Sequence, residues 1–225
     1  MKRLLLPLVS LGLGCFVAQA QVPVFKNSVY DLNVRFDTES YQVGDEILLF
    51  HPVGVPQLKI TSFSFEYWGE NLGANAKVQV GFYKNDGADY GGGSLMPSTP
   101  LWSSGPWGIT NTPRSTMWFD KTDLNDVVVP DRLTWTVQFF DLGTGGKAGV
   151  DLYSPPVVGN DLTDYWRREG TNWVLRAGGV GSTLTVDFGA TMDVPEPATW
   201  MLAALGLGGY VAYRARAKRA GAPPR

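Results

Sequence analysis

The chain holds one cysteine in 225 residues, Cys15. It sits close to the N-terminus, so no disulfide braces the rest, and a body of about 170 residues must rely on its own core. Histidine is as scarce. His51 is the only one, which excludes a histidine metal cluster and leaves a Ser-His-Asp triad a single possible base. It stands in Phe50-His51-Pro52, and no Gly-x-Ser-x-Gly elbow occurs in the chain. A solvated loop histidine is the expectation. Positive charge is thin as well. Of the 19 Lys and Arg, Lys2 and Arg3 lie at one end and Arg214, Arg216, Lys218, Arg219 and Arg225 at the other. That leaves 12 between Gln21 and Tyr213 against all 21 Asp and Glu, a net charge near −9. So acidic a surface repels phosphate backbones, and nucleic acid is not an expected partner.

What the ends contain is organised. Met1-Lys2-Arg3 is a positive start, Leu4 to Val17 is apolar, and Ala18-Gln19-Ala20 is a small-x-small cleavage site before Gln21. These are the three parts of a secretory signal peptide, residues 1–20. Gly12-Leu13-Gly14-Cys15 offers a rival lipoprotein reading, but Gly12 stands where Leu is expected and a good cleavage site follows downstream.

At the other end, Val194, Pro195, Glu196 and Pro197 read as a short rigid linker, because each proline fixes φ and pushes its neighbour to extended geometry. On this reading Pro-Glu-Pro cannot continue a strand or a helix. From Ala198 to Tyr213 no residue is charged. As a helix, those roughly 16 residues rise about 24 Å, short for a bilayer core of about 30 Å. Trp200, Tyr213 and snorkelling basic heads offset part of the shortfall. Arg214, Arg216, Lys218 and Arg219 then belong on the cytoplasmic side. A buried C-terminal helix is the alternative, but it would show a polar face that is missing here.

Pro195-Glu196-Pro197, one hydrophobic span (198–213) and an Arg-rich end resemble the PEP-CTERM sorting signal of exported proteins in Gram-negative bacteria, here over 194–219. The resemblance implies a membrane-embedded exosortase as partner, with processing near the Pro-Glu-Pro. It further implies transient anchoring in the inner membrane, then residence at the cell surface or outside, in the company of exopolysaccharide and biofilm.

The body, residues 22–191, is expected to be one all-β domain. Tyr30 to Phe36 alternates apolar and polar, and Leu58 to Trp68 is the clearest strand, with Thr61, Phe63, Phe65 and Tyr67 on one face. Further strands are expected at 45–50, 77–83, 100–103, 117–120, 133–141, 148–153, 165–168, 173–176 and 184–188. Asn85-Asp86-Gly87 reads as a hairpin turn. About ten short strands at this spacing argue for an antiparallel β-sandwich or jelly roll, with a closed barrel as runner-up. Gly44-Asp45-Glu46-Ile47, Phe82-Tyr83-Lys84-Asn85-Asp86-Gly87, Asp164-Tyr165-Trp166-Arg167-Arg168 and Asp187-Phe188-Gly189-Ala190 look like a β-sandwich ectodomain that recurs in PEP-CTERM proteins. That likeness implies fold and location and carries no activity.

For chemistry, the residues favour a non-enzymatic body without a cofactor. Trp102, Trp107 and Trp118 lie in or beside Gly-, Ser- and Pro-rich loops, where flat aromatic faces stack on sugar rings, so a carbohydrate-binding module is the alternative. Trp68, Trp135 and Trp173 read as core. Paired carboxylates for glycoside hydrolysis have Glu46, Glu66, Glu70 and Glu169 as candidates by type. Asn85-Asp86-Gly87-Ala88-Asp89 carries oxygen ligands suited to Ca²⁺, at a spacing that does not match the usual loop.

Overall fold

A computed structural model describes residues 20–90, 94–177 and 185–196. The expected signal peptide through Gln19, Pro197, the expected 198–213 span and the basic cluster Arg214, Arg216, Lys218 and Arg219 lie outside the described residues. So do the signal-cleavage residue Ala18 and the tail of the sorting signal. Among the described residues no helix is long and apolar enough to cross a membrane.

The strands, in chain order, are β1 (Gln21–Asn27), β2 (Asp31–Asp37), β3 (Val43–Leu48), β4 (Leu58–Lys59), β5 (Ser62–Glu70), β6 (Lys77–Asp89) and β7 (Leu95–Gly108). They continue with β8 (Thr112–Phe119), β9 (Val128–Val129), β10 (Arg132–Phe140), β11 (Lys147–Tyr153), β12 (Asn160–Glu169), β13 (Asn172–Ala177) and β14 (Ala190–Pro195), with one short helix, α1 (Lys121–Leu124). Every pairing is antiparallel. Sheet A runs β1-β14-β5-β11-β2, with β8 on the other edge of β5. Sheet B runs β13-β12-β3-β10-β6-β7, and β4 and β9 form a small third sheet.

The two large sheets face each other across one aromatic core, so the body is an all-β sandwich. Alternation along β5 sends Phe63, Phe65 and Tyr67 inward. Phe63 meets Phe82 of β6 at 5.1 Å and Trp135 of β10 at 5.3 Å, and Tyr67 meets Phe139 at 6.3 Å. Trp68, Trp135 and Trp173 are buried, as their strand positions predict.

Several local expectations are corrected. Asn85-Asp86-Gly87 is not a turn: β6 runs through it to Asp89. Asn85 donates to Leu95 O and Thr134 Oγ1, and Asp86 accepts from both the amide and the hydroxyl of Thr99. Gly87 is needed for a close approach, since a Cβ there would come within 2.8 Å of Met96 O. Asp120 ends no strand but caps α1, its carboxylate accepting from the amides of Thr122 and Asp123. The long strand from Leu58 is interrupted at Ile60-Thr61. Residues 185–189 make only one isolated bridge, Phe188 to Leu152.

The ends of the body differ most from expectation. The chain pairs its first strand with its last, Gln21 to Pro195 and Val22 to Val194. Pro195 therefore closes a strand rather than preventing one. Its missing N–H costs little there, because β5 pairing stops at Asp193 and only β1 runs alongside. The Glu196 amide extends the ladder to Ala20 O at 2.9 Å.

Candidate functional site

The register of sheet A decides what its outer face carries. Ser64 pairs with Trp118 and Glu66 with Thr116 across β5 and β8. On the other side of β5, Ser64 pairs with Thr191, which in turn pairs with Lys26 of β1. These side chains all point away from Phe63 and Phe65, so one band of hydroxyls, a carboxylate and a lysine crosses four strands. Trp118 stands at its β8 edge, 61 % exposed. Lys26, Ser64, Glu66, Thr116, Trp118 and Thr191 line a groove of about 230 Å³.

Glu66 links this groove to an ionic cluster. The Tyr153 hydroxyl donates to it at 2.5 Å, and Arg114 Nε lies 3.4 Å from Glu66 and 3.3 Å from Asp151. The far end of the same guanidinium holds Asp31 at 2.7 Å. Burial pushes the Asp151 carboxyl up and Arg114 opposes it. Asp31 resists its own partial burial through the Asn33 amide and Arg114, and is lowered. Burial, then the Glu66 hydrogen bond, holds the Tyr153 phenol protonated. Asn33, Arg35, Arg114 and Asp151 bound a second hollow of about 430 Å³ on the same face.

The three tryptophans singled out from sequence have different settings. Trp102 packs 4.8 Å from Phe82 and 5.5 Å from Phe119, and donates to Asp123 O. Trp107, 40 % exposed, meets Phe119 edge-on at 5.5 Å and donates to Ser104 O. Only Trp118 of the three lines the groove.

His51 is a loop residue with both nitrogens engaged, Nδ1 with Asp131 Oδ1 at 2.7 Å and Nε2 with Val55 O at 2.6 Å. Glu169 is gripped by Arg167 and Arg176. Glu46, fully buried, takes Arg132 Nε on one oxygen and Trp166 Nε1 on the other. Burial raises its carboxyl, with Arg132 pulling the other way.

A second acidic group lies inside the sandwich, and sequence reasoning missed it. Asp45 of β3, Asp161 and Asp164 of β12 and Asp187 before β14 come together with Asn27 of β1. Asp45 accepts from the Phe188 amide at 3.0 Å, and Asp161 accepts from Asn27 Nδ2 at 3.1 Å. Burial, then the charge of Asp161, pushes Asp45 well above the usual carboxylate range. Asp161 is pushed up to about 7 by burial and by Asp187. Asp187 is raised by burial against hydrogen bonds from Ser154 and Thr185, and Asp164 is raised by burial. Among the described residues no three His, Cys, Asp or Glu side chains already stand as a metal cage. The missed signal was Asp45 inside a buried strand and Asp187 before an apolar Phe188; their meeting depends on pairings hundreds of ångströms of chain apart.

The residues of the expected signal-cleavage site and of the sorting motif also meet. Ala20 and Gln21 lie beside Pro195 and Glu196, and Gln21 Nε2 reaches Thr61 Oγ1 at 3.3 Å. Val194 is buried.

The family model of the PEP-CTERM protein-sorting motif matches residues 193–217. No curated protein and no solved structure matches the chain. The match starts inside β14, so the body's last strand and the sorting motif share residues. The motif implies exosortase-dependent sorting of an exported protein that is held transiently at the membrane.

Proposed function

We propose that this is a non-catalytic surface or matrix protein, sorted by an exosortase at or near Pro195 to Pro197 and resident outside the cell among exopolysaccharide. The observation that carries the reading is the PEP-CTERM motif at 193–217, joined directly to a β-sandwich. Its steps are physical: the leader exports the body, the apolar tail holds it in the inner membrane, and the exosortase releases it. A scaffold role for the body is supported by the engagement of its polar groups, with both His51 nitrogens bonded and Glu169 held by two arginines. Intact-mass analysis of the exported protein from its native host tests the reading. Loss of the residues after Pro197 is expected; an intact tail in the presence of a co-expressed exosortase overturns it.

A second reading, a carbohydrate-binding module, is favoured by one observation: Trp118 exposed beside a groove of hydroxyls and Glu66. An indole face at a polar rim suits the apolar face of a sugar ring. On an exopolysaccharide affinity gel, Trp118→Ala is expected to lose retardation while Trp107→Ala loses less. Stability changes by no more than about 0.5 kcal/mol for so exposed a side chain. Equal migration of wild type and Trp118→Ala removes this reading and leaves the first intact.

A further inference from the structure

The interior acidic group is held by atoms that lack partners. Asn27 is 1 % exposed, and its amide nitrogen donates to Tyr153 O at 3.0 Å, Asp161 Oδ2 at 3.1 Å and Phe188 O at 3.4 Å. Three acceptors fix which end of the amide is nitrogen, since the reverse orientation would set oxygen against oxygen three times. Its Oδ1 is therefore an acceptor, and no donor reaches it. Asp45 Oδ1, Asp164 Oδ1 and Asp187 Oδ1 are buried and unpartnered in the same way, with Asp45 0 % and Asp187 1 % exposed.

Four orphan oxygens from four separate segments are thus gathered around carboxylates that repel one another. Asp45 feels Asp161, Asp187 and Asp164, and Asp187 feels Asp164. Buried polar atoms are almost always satisfied, and buried charges are paired or coordinate metals. Among the described residues Arg132 is the cation that bears on the group, and it acts on Asp164 while bonding Glu46. Nothing of positive charge lies against Asp45, Asp161 or Asp187 among the described residues.

We propose that Asn27, Asp45, Asp161, Asp164 and Asp187 bind one Ca²⁺ ion that ties sheet A to sheet B. The donors are all oxygen, without nitrogen or sulfur, which suits a hard cation. A mixed amide and carboxylate set drawn from three strands and the segment before β14 suits the larger, geometrically tolerant Ca²⁺ over Mg²⁺, which demands a near-ideal octahedron. The oxygens do not yet form a closed cage, so binding draws them inward by rotation of the aspartate side chains. The site is independent of the sorting reading and of the Asn85-to-Asp89 segment, whose Asn85 and Asp86 are committed to the sheet.

The test is titration of the full chain, purified in detergent and stripped with EDTA, using CaCl₂ and separately MgCl₂, followed by calorimetry and thermal unfolding. One saturable Ca²⁺ site is expected, with a dissociation constant of about 10⁻⁴ M or tighter, and an unfolding midpoint higher than in EDTA. MgCl₂ is expected to bind at least tenfold more weakly. Asp45→Asn and Asp161→Asn should each weaken Ca²⁺ at least tenfold, while Asp86→Asn leaves it unchanged. Tb³⁺ luminescence excited through tryptophan, and quenched by added Ca²⁺, reads the site in the wild type even where a variant fails to fold. Absence of both heat and luminescence overturns the proposal. So does binding that Asp45→Asn and Asp161→Asn leave at full strength, or that only Asp86→Asn removes.

Discussion

Two acidic regions of one sandwich are built on opposite plans. On the outer face of sheet A, the guanidinium of Arg114 gathers Asp31 and Glu66, which are partly open to water, with the buried Asp151. Between the sheets, Asp45, Asp161 and Asp187 gather with no basic side chain of their own among the described residues. Neighbours on β3 show the contrast at its sharpest. Glu46 and Asp45 are both fully buried, yet Glu46 has Arg132 and Trp166 while Asp45 has one backbone amide and a bare oxygen. Burial of a carboxylate is tolerable in either place; what differs is whether the chain itself supplies the counter-charge.

The comparison breaks first at Arg132. Arg132→Ala turns Glu46 into a second Asp45, a buried acid with no cation. Removing one partner of a buried pair is strongly destabilising, and the partial exposure of Arg132 sets the expected loss at the low end, roughly 3 kcal/mol, in denaturant unfolding at pH 7. A loss near zero would mean that Glu46 is already neutral.

Next comes pH. In EDTA, the raised carboxyls of Asp45, Asp161, Asp164 and Asp187 favour the protonated folded state. The unfolded groups titrate near 4, so their contribution is complete below that value and fades as pH rises through the folded values, about 7 for Asp161. The melting temperature in EDTA is expected to fall from pH 5 to pH 8, and Asp161→Asn to flatten that slope. A rising profile would reverse the account of the cluster.

Arg114→Ala should do less. The side chain is 42 % exposed and solvent screens its pairs with Asp31 and Glu66, but Asp151 is buried at 1 %, so about 2 kcal/mol is expected by urea titration. A loss as large as that of Arg132→Ala would erase the distinction between the two faces. His51 is smallest. Its Asp131 and Val55 bonds raise its affinity for a proton, so its contribution is present below the ordinary histidine range and disappears as pH rises through the raised value. Melting curves of His51→Ala and wild type should converge at alkaline pH and separate only at acid pH.

Much of this architecture is visible in the amino-acid pattern, and the exceptions have physical reasons. Alternation in Asp31 to Asp37 and Ser62 to Glu70 exposes those strands directly, because one face of each is apolar. β1 and β14 escape notice because each carries a proline, and proline reads as punctuation unless the neighbouring strand is known. Asn85-Asp86-Gly87 has turn composition, but its long partner β7 continues past it and moves the hairpin to residues beyond Asp89. The outer groove is half legible: Trp118 stands out in the sequence, whereas Ser64, Thr191 and Lys26 join it only through pairings across four strands. Asp45 and Asp187 look like ordinary residues of strand-like segments, and no periodicity tells that they meet.

The insertion of β14 between β1 and β5 sets an order of events. Sheet A lacks an interior member until the residues that lead into the sorting motif are in place. Until then β1 has no sheet partner and the amides of Ser62 to Phe65 on that edge are unmatched. Completion of sheet A therefore waits on the residues that open the sorting motif, and a chain truncated before Ala190 leaves β5 with an open, sticky edge and β1 without its strand partner.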